Sequence, residues 1–217
     1  FDNLGEAEIY TRKAIEHNPN CVEARTTLGN IMVDIGKLQE AEIYTRKVIE
    51  FNPDDAIAHC NLGGILIKTG NLQEAEIYTR KAIELNPDYA DAYCNLGGIL
   101  EDLGKIQEAI FLSKSTLKSS SINQGYKLLA SLRITIANLL QKNFSETLIS
   151  INKTNDLINQ GAINTIKDEK KKQYSFAFSK FVTSLYPLLE KENEYNISKI
   201  PHLGESHCLS FAHQTLS

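Results

Sequence analysis

The side chains best suited to metal chemistry lie near the carboxyl end of the chain. His202, His207, Cys208 and His213 fall within one short stretch of the sequence. Structural zinc sites favour tight pairs such as Cys-x2-Cys and His-x3-His, and neither spacing occurs here. The sequence also contains no phosphate-cradling loop, His-Glu-x-x-His helix or paired-carboxylate site. We therefore predict neither a bound metal ion nor a cofactor.

The same region contains one candidate nucleophile. The sequence from Gly204 to His207 resembles the first block of GDSL-type (SGNH) hydrolases, and this resemblance would make Ser206 the nucleophile. Glu205 replaces the usual Asp, and the family's oxyanion-hole residues and Asp-x-x-His pair are absent from the chain. A serine without a base or oxyanion donors is not activated. We predict no enzyme activity and a short non-helical tail over 194–217; the alternative is the start of a truncated hydrolase-like domain.

Two of the four cysteines occupy equivalent positions. Cys60 and Cys94 are separated by 34 residues, within two stretches of almost identical sequence. Equivalent helices in a stack lie about 8–10 Å apart, whereas a disulfide requires Cα atoms within about 7 Å. We therefore expect unpaired thiols, which suit a reducing compartment and a cytoplasmic location.

These residues belong to a sequence that repeats itself. Residues 36–66 and 70–100 are identical at 25 of 31 positions, at an offset of 34. Asn3 to Pro19 repeats the same text one period earlier, and a further copy from Ala90 decays after Lys118. Within one period, apolar residues at helical spacing predict a first helix over 56–69 and a second over 72–85. The repeat therefore indicates a stack of helix pairs.

The repeat resembles the tetratricopeptide repeat. The resemblance rests on a Leu-Gly pair in the first helix, an alanine in the second and a closing proline: Leu62-Gly63, Ala75 and Pro87 in one period. It implies an all-α fold, a right-handed superhelical solenoid of antiparallel helix pairs. The array would cover 1–123, as a partial repeat 1–21 and repeats 22–55, 56–89 and 90–123. Thr11, Thr45 and Thr79 stand where the family usually has a bulky aromatic residue, so we expect altered packing there.

The chain beyond the array is also predicted to be helical. Tyr126 to Gln141 and Phe144 to Gln160 both show amphipathic spacing, which we interpret as a degenerate repeat. The sequence from Thr165 to Glu192 predicts a longer helix with one apolar side. Because a solenoid needs a cap over its last apolar face, we assign 124–193 to the degenerate repeat and this capping helix.

The resemblance also implies a binding surface, because the first helices of tetratricopeptide repeats line a concave groove. The matching positions that we select are Asn30, Asp34, Ile57, Asn61, Lys68, Asp91, Asn95, Glu101 and Asp102. The contexts of Asn61 and Asn95 resemble the repeats of O-linked N-acetylglucosamine transferase, where such asparagines hold a peptide backbone with paired amide hydrogen bonds. The alternative is that these asparagines support the turn between helices or face water.

Charge narrows the range of partners. The formal net charge of −4 and the absence of a basic face argue against nucleic acid and anionic membranes as ligands. No apolar run approaches the roughly 18–20 residues of a membrane span. Asp91, Glu101 and Asp102 make the groove acidic, and Lys68 is its one base. A clamp for acidic chaperone tails needs several bases, so we expect a neutral or basic ligand instead.

We therefore predict a cytoplasmic scaffold that binds a protein or an extended peptide in its groove. One alternative is the substrate-recognition arm of a larger enzyme, with a hydrolase-like or glycosyltransferase domain beyond Ser217. Another is a self-assembling structural solenoid. The chain begins in the middle of a repeat, so we expect it to be a fragment of a longer protein.

Overall fold

A computed structural model describes residues 2–141 and 143–166, together with Lys172, Gln173 and Lys180. Helices form almost all of this part, which contains no strand: α1 Asp2–His17, α2 Val22–Asp34, α3 Leu38–Phe51, α4 Ala56–Lys68, α5 Leu72–Leu85, α6 Ala90–Asp102, α7 Ile106–Lys118, α8 Gln124–Leu140 and α9 Phe144–Asn159. A short 3-10 helix, Ala162–Thr165, follows. The predicted all-α helical-repeat fold is confirmed.

Glycines in left-handed conformation end the first helices and turn the chain into the second. Gly36 and Gly70 have φ angles of 79° and 82°, which cost little only for glycine. The amide of the residue after each glycine then closes the helix. The Asn71 amide donates to the Leu66 carbonyl at 2.9 Å, and the Lys37 amide donates to the Met32 carbonyl at 2.8 Å. These C-caps pair α2 with α3 and α4 with α5.

The core of the first repeats is shared between neighbours. Leu62, Leu66 and Ala75, from one helix pair, are fully buried in a cluster with Ile99 of the next first helix. Each repeat therefore covers its apolar face with residues of the following repeat. This arrangement makes the stability of α1–α6 a sum of intrinsic and nearest-neighbour contributions.

Glycines inside the first helices allow the second helices to approach closely. A Cβ on Gly63 would collide with the side-chain oxygen of Thr79, and a Cβ on Gly29 would lie 3.1 Å from that of Thr45. Both threonines are buried. Threonine, in the place of the family's bulky aromatic residue, therefore lies nearest to the glycine.

Arginines link α1 to α3 and α3 to α5. Arg46 donates to Glu42 of its own helix at 2.9 Å, to Glu74 at 2.7 Å and to the Tyr78 hydroxyl at 2.9 Å, the last two on α5. Arg12 makes the same set of contacts with Glu8, Glu40 and Tyr44. A guanidinium offers donors in a planar fork, so it can serve three acceptors at once. We call each set an arginine clasp.

The chain divides into two compact units, and the second begins at Gly104. In this unit, Leu128, Leu132 and Ile151 form part of the core between α8 and α9. Buried polar groups line the same helices, and the Ser131 and Thr154 hydroxyls are hydrogen-bonded at 2.8 Å. The repeat pattern places the end of the array at residue 123, and that limit remains a prediction.

Several predicted features fall outside the described residues. These are most of the capping helix over 165–192, the tail over 194–217 with its hydrolase-like block, Ser206, and the cluster of His202, His207, Cys208 and His213. Within the described ranges, no helix is long and apolar enough to cross a membrane.

Candidate functional site

A groove of about 330 Å³ runs along the first helices α2, α4 and α6 of the first unit. Six of the nine residues selected from the sequence line it: Asn30, Asp34, Asn61, Lys68, Asp91 and Asn95. They come from three successive repeats because each first helix presents the same face to the groove. The residues are thus brought together, while their role in binding remains a prediction.

The asparagine amides are oriented by the preceding first helix. Asn61 Nδ2 donates to Asn30 Oδ1 at 3.4 Å, and Asn95 Nδ2 contacts Cys60 Sγ at 3.5 Å. The first distance is at the long end for a hydrogen bond to oxygen, and the sulfur of the second is a weak acceptor. Among the described residues, no donor reaches Oδ1 of Asn61 or Asn95. Each amide therefore keeps one acceptor and one N–H for another molecule.

Charged groups stand at the edge of the groove. Asp34 and Lys68 are exposed and occupy equivalent positions on α2 and α4. Although they line the same groove, they form no ion pair within the described part of the chain. Asp91 lies in the first turn of α6. The lining thus contains two carboxylates and one ammonium.

The groove contains a protonated thiol. Cys60 is only 3% exposed and packs together with Ala82, Ala92 and Tyr89. Burial, reinforced by the nearby Asp91 carboxylate, raises the pKa of the Cys60 thiol to about 12. Burial also raises the pKa of Tyr89. Because the thiolate is the reactive form, Cys60 is a packing residue rather than a nucleophile.

Three of the nine selected residues do not line the groove. Ile57, with 54% of its surface exposed, lies on α4 outside it. Glu101 and Asp102 lie at the end of α6 and are not among the residues that line the cavity. The resemblance assigned these positions from the family's repeat, whereas the residues of α6 that line this cavity are Asp91 and Asn95.

The cavity also includes residues that we did not select from the sequence. Val33 and Ile65 supply apolar surface, and Tyr89, at the N-cap of α6, supplies a hydroxyl. The equivalent residue one repeat earlier, Asp55, caps α4 by accepting from the amides of Ile57 and Ala58. An aromatic residue at the position of a capping carboxylate was the signal that could have identified Tyr89.

Among the described residues, no three His, Cys, Asp or Glu side chains are placed to hold a metal ion. Cys21, Cys60 and Cys94 are not joined by disulfides in this part of the chain. The chemistry that the groove offers is hydrogen bonding by amides, ion pairing and burial of apolar groups.

Family comparisons identify the repeated segment. Tetratricopeptide repeat models match residues 22–55, 56–89 and 78–111. Comparison with curated proteins gives no match.

Solved structures of similar fold are numerous. One crystal structure of MamA superposes with a TM-score of 0.68 at 27% identity, covering 74% of this chain and 92% of MamA. YrrB, described as a TPR protein with an unusual peptide-binding site, has a TM-score of 0.60 at 16% identity, with coverage of 94% and 90%. The pilF protein of Pseudomonas aeruginosa has a TM-score of 0.63 at 18% identity, with coverage of 91% and 86%.

Proposed function

We propose, from the premise that residues 22–111 of this chain are tetratricopeptide repeats, that the protein binds an extended segment of another protein in its groove. One observation carries the proposal: Asn30, Asn61 and Asn95, on three successive first helices, line a single groove. A peptide unit offers one donor and one acceptor, which an asparagine amide can match. The bound segment would therefore be recognised through its backbone.

The spacing of the asparagines fits an extended peptide. Neighbouring helices in a stack are about 8–10 Å apart, and an extended chain advances about 3.3 Å per residue. Asn61 and Asn95 would then meet peptide units about three residues apart. The resemblance of their contexts to the repeats of O-linked N-acetylglucosamine transferase supports the same role.

The charge of the groove favours a neutral or basic ligand. Asp34 and Asp91 outnumber Lys68 in the lining, and a strongly acidic segment would be repelled from the groove. The protein would act as a scaffold without chemistry of its own. A reducing, cytoplasmic setting suits the free, buried thiol of Cys60.

A double substitution tests the role of the amides. Peptides of ten residues with capped ends are selected from a display library on the full chain, and the affinity of the selected peptides is measured by fluorescence anisotropy. Asn61→Ala combined with Asn95→Ala should weaken binding about tenfold or more, since each lost hydrogen bond costs about 0.5–1.5 kcal/mol. The melting temperature should remain nearly unchanged, because within the chain Asn61 makes one long contact and Asn95 donates to a weak sulfur acceptor.

The matched control removes two exposed amides from equivalent positions on second helices, by Gln39→Ala with Gln73→Ala. This variant should bind like the parent protein. A lower melting temperature with unchanged affinity in the asparagine variant would show that Asn61 and Asn95 are structural, and would contradict the proposal.

A further inference from the structure

Two adjacent glycines of α4 have different surroundings. A Cβ on Gly63 would collide with the Thr79 hydroxyl, so packing disfavours a larger residue there. A Cβ on Gly64 would meet only Asn95 Nδ2, at 3.8 Å, which is ordinary van der Waals contact. Glycine is among the least favourable residues in a helix interior. Packing within the described residues therefore explains Gly63 but not Gly64.

Gly64 opens into the groove. The residue lines the cavity, and Val33 and Ile65 provide apolar surface to the same cavity. Without a side chain at Gly64, the wall of α4 recedes between these apolar groups and the amide of Asn95. The recess is therefore a place where a ligand side chain can lie against the helix.

Carboxylates from two helices share the cavity with this recess. Asp34 ends α2 and Asp91 lies in the first turn of α6, so they reach the cavity from the helices on either side of Gly64. Lys68 lies one turn beyond Gly64 on α4 and is exposed. Its long, flexible stem can carry the ammonium into solvent, whereas the short aspartate side chains remain close to the wall. The recess is thus apolar below and negative at its edge.

We propose that the recess at Gly64 receives a lysine or arginine side chain of the bound peptide. The aliphatic stem would lie over Gly64 beside Val33 and Ile65, and the cationic group would meet Asp34 or Asp91. Lysine and arginine combine an apolar stem with a charged end in this order. A purely aliphatic side chain would bury the Asp34 carboxylate without pairing it, which is unfavourable. This inference rests on the proposed function, since it assumes a peptide in the groove.

The test uses the peptides selected on the full chain. Sequencing the selected pool should reveal lysine or arginine enriched at one position. A synthetic peptide with lysine there should bind at least tenfold tighter than the same peptide with norleucine, which has the stem without the ammonium. Asp34→Asn and Asp91→Asn should each reduce this ratio. Asp54→Asn, which removes an exposed carboxylate outside the groove, should leave it unchanged.

A second variant tests the recess itself. Gly64→Leu should fill it and weaken binding of the lysine peptide at least tenfold, while the melting temperature stays equal or rises. If peptides are selected without any preference for a basic residue, or if Gly64→Leu binds the lysine peptide as the parent does, the recess proposal is wrong and the peptide groove remains. If no peptide is selected at all, the proposed function fails as well.

Discussion

The hydroxyl oxygen of Thr79 occupies the space that a Cβ atom on Gly63 would need. Thr79 is completely buried, and its hydroxyl has no hydrogen-bond partner among the described residues. The pair therefore fixes how closely α4 and α5 approach one another. Thr79 therefore contributes to the packing of the two helices through its shape and not through a hydrogen bond.

Gly63→Ala should destabilise the protein. The added methyl gains about 1 kcal/mol of helix propensity, but overpacking of a tight core typically costs about 1–3 kcal/mol. We expect a net loss of up to about 2 kcal/mol in the free energy of unfolding, measured by urea denaturation. In a Thr79→Ala background the same change should become stabilising, because the obstacle is gone. Destabilisation of equal size in both backgrounds would show that Thr79 is not the obstacle.

Arg46→Lys should weaken the clasp between α3 and α5. Lysine keeps the charge but lacks the planar fork that serves Glu42, Glu74 and Tyr78 together. We expect a loss of about 1 kcal/mol, since the arginine is partly exposed and exposed ion pairs are individually weak. The loss should shrink with added salt. Lys47→Ala, on the exposed side of the same helix, should have little effect; an equal loss there would argue against the clasp.

The buried thiol of Cys60 should make the stability of the protein decrease at alkaline pH. Its pKa is raised from 9.0 to about 12 in the folded protein, so the folded state holds the proton more tightly than the unfolded state. The resulting stability is complete below pH 9 and is lost as pH rises towards 12. Between pH 8 and pH 10 the free energy of unfolding should fall by about 1 kcal/mol. Urea denaturation at each pH measures this change. Cys60→Ala should remove this part of the pH dependence; an unchanged slope would contradict the assignment.

Leu62→Asp should unfold more than its own repeat. Leu62 is fully buried in a cluster that includes Ile99 of the next repeat, and a buried carboxylate without a partner costs several kcal/mol. Hydrogen exchange should show loss of protection in α6 as well as α4, and the melting temperature should fall. Ile57→Asp, at an exposed position of the same helix, is the control and should melt like the parent. If the amides of α6 kept their protection from hydrogen exchange, the proposed coupling between neighbouring repeats would be contradicted.

The helices could be predicted from the sequence because the pattern that predicts each of them occurs in several copies of the repeat. Residues 72–85 were predicted as a second helix, and α5 has these bounds. Turn glycines and apolar spacing act locally, so they are visible in the sequence itself. The close contact between Gly63 and Thr79 could not be predicted in this way, because it depends on the distance between two helices. No local sequence pattern contains that distance.

The candidate site was less predictable than the fold. Asn61 and Asn95 were found because their positions repeat. Tyr89 was missed because the turn before α6 departs from the turn before α4, where Asp55 is the cap. The family resemblance also assigned Glu101 and Asp102 to the groove; they do not line this cavity, and their assignment remains a prediction. The limits of the cavity depend on how side chains from three helices are arranged together. A repeat pattern describes each helix separately, so it does not contain these limits.

The arginine clasp has a consequence for how such an array can change in length. The partners of Arg12 and Arg46 stand at the same offsets along the chain, so removal of residues 35–68 would bring Arg12 to Glu74 and Tyr78 with the spacing unchanged. Insertion of one further unit would likewise preserve every link. Gene duplication or deletion in whole units could therefore lengthen or shorten the groove, and with it the stretch of peptide that fits, without designing a new junction.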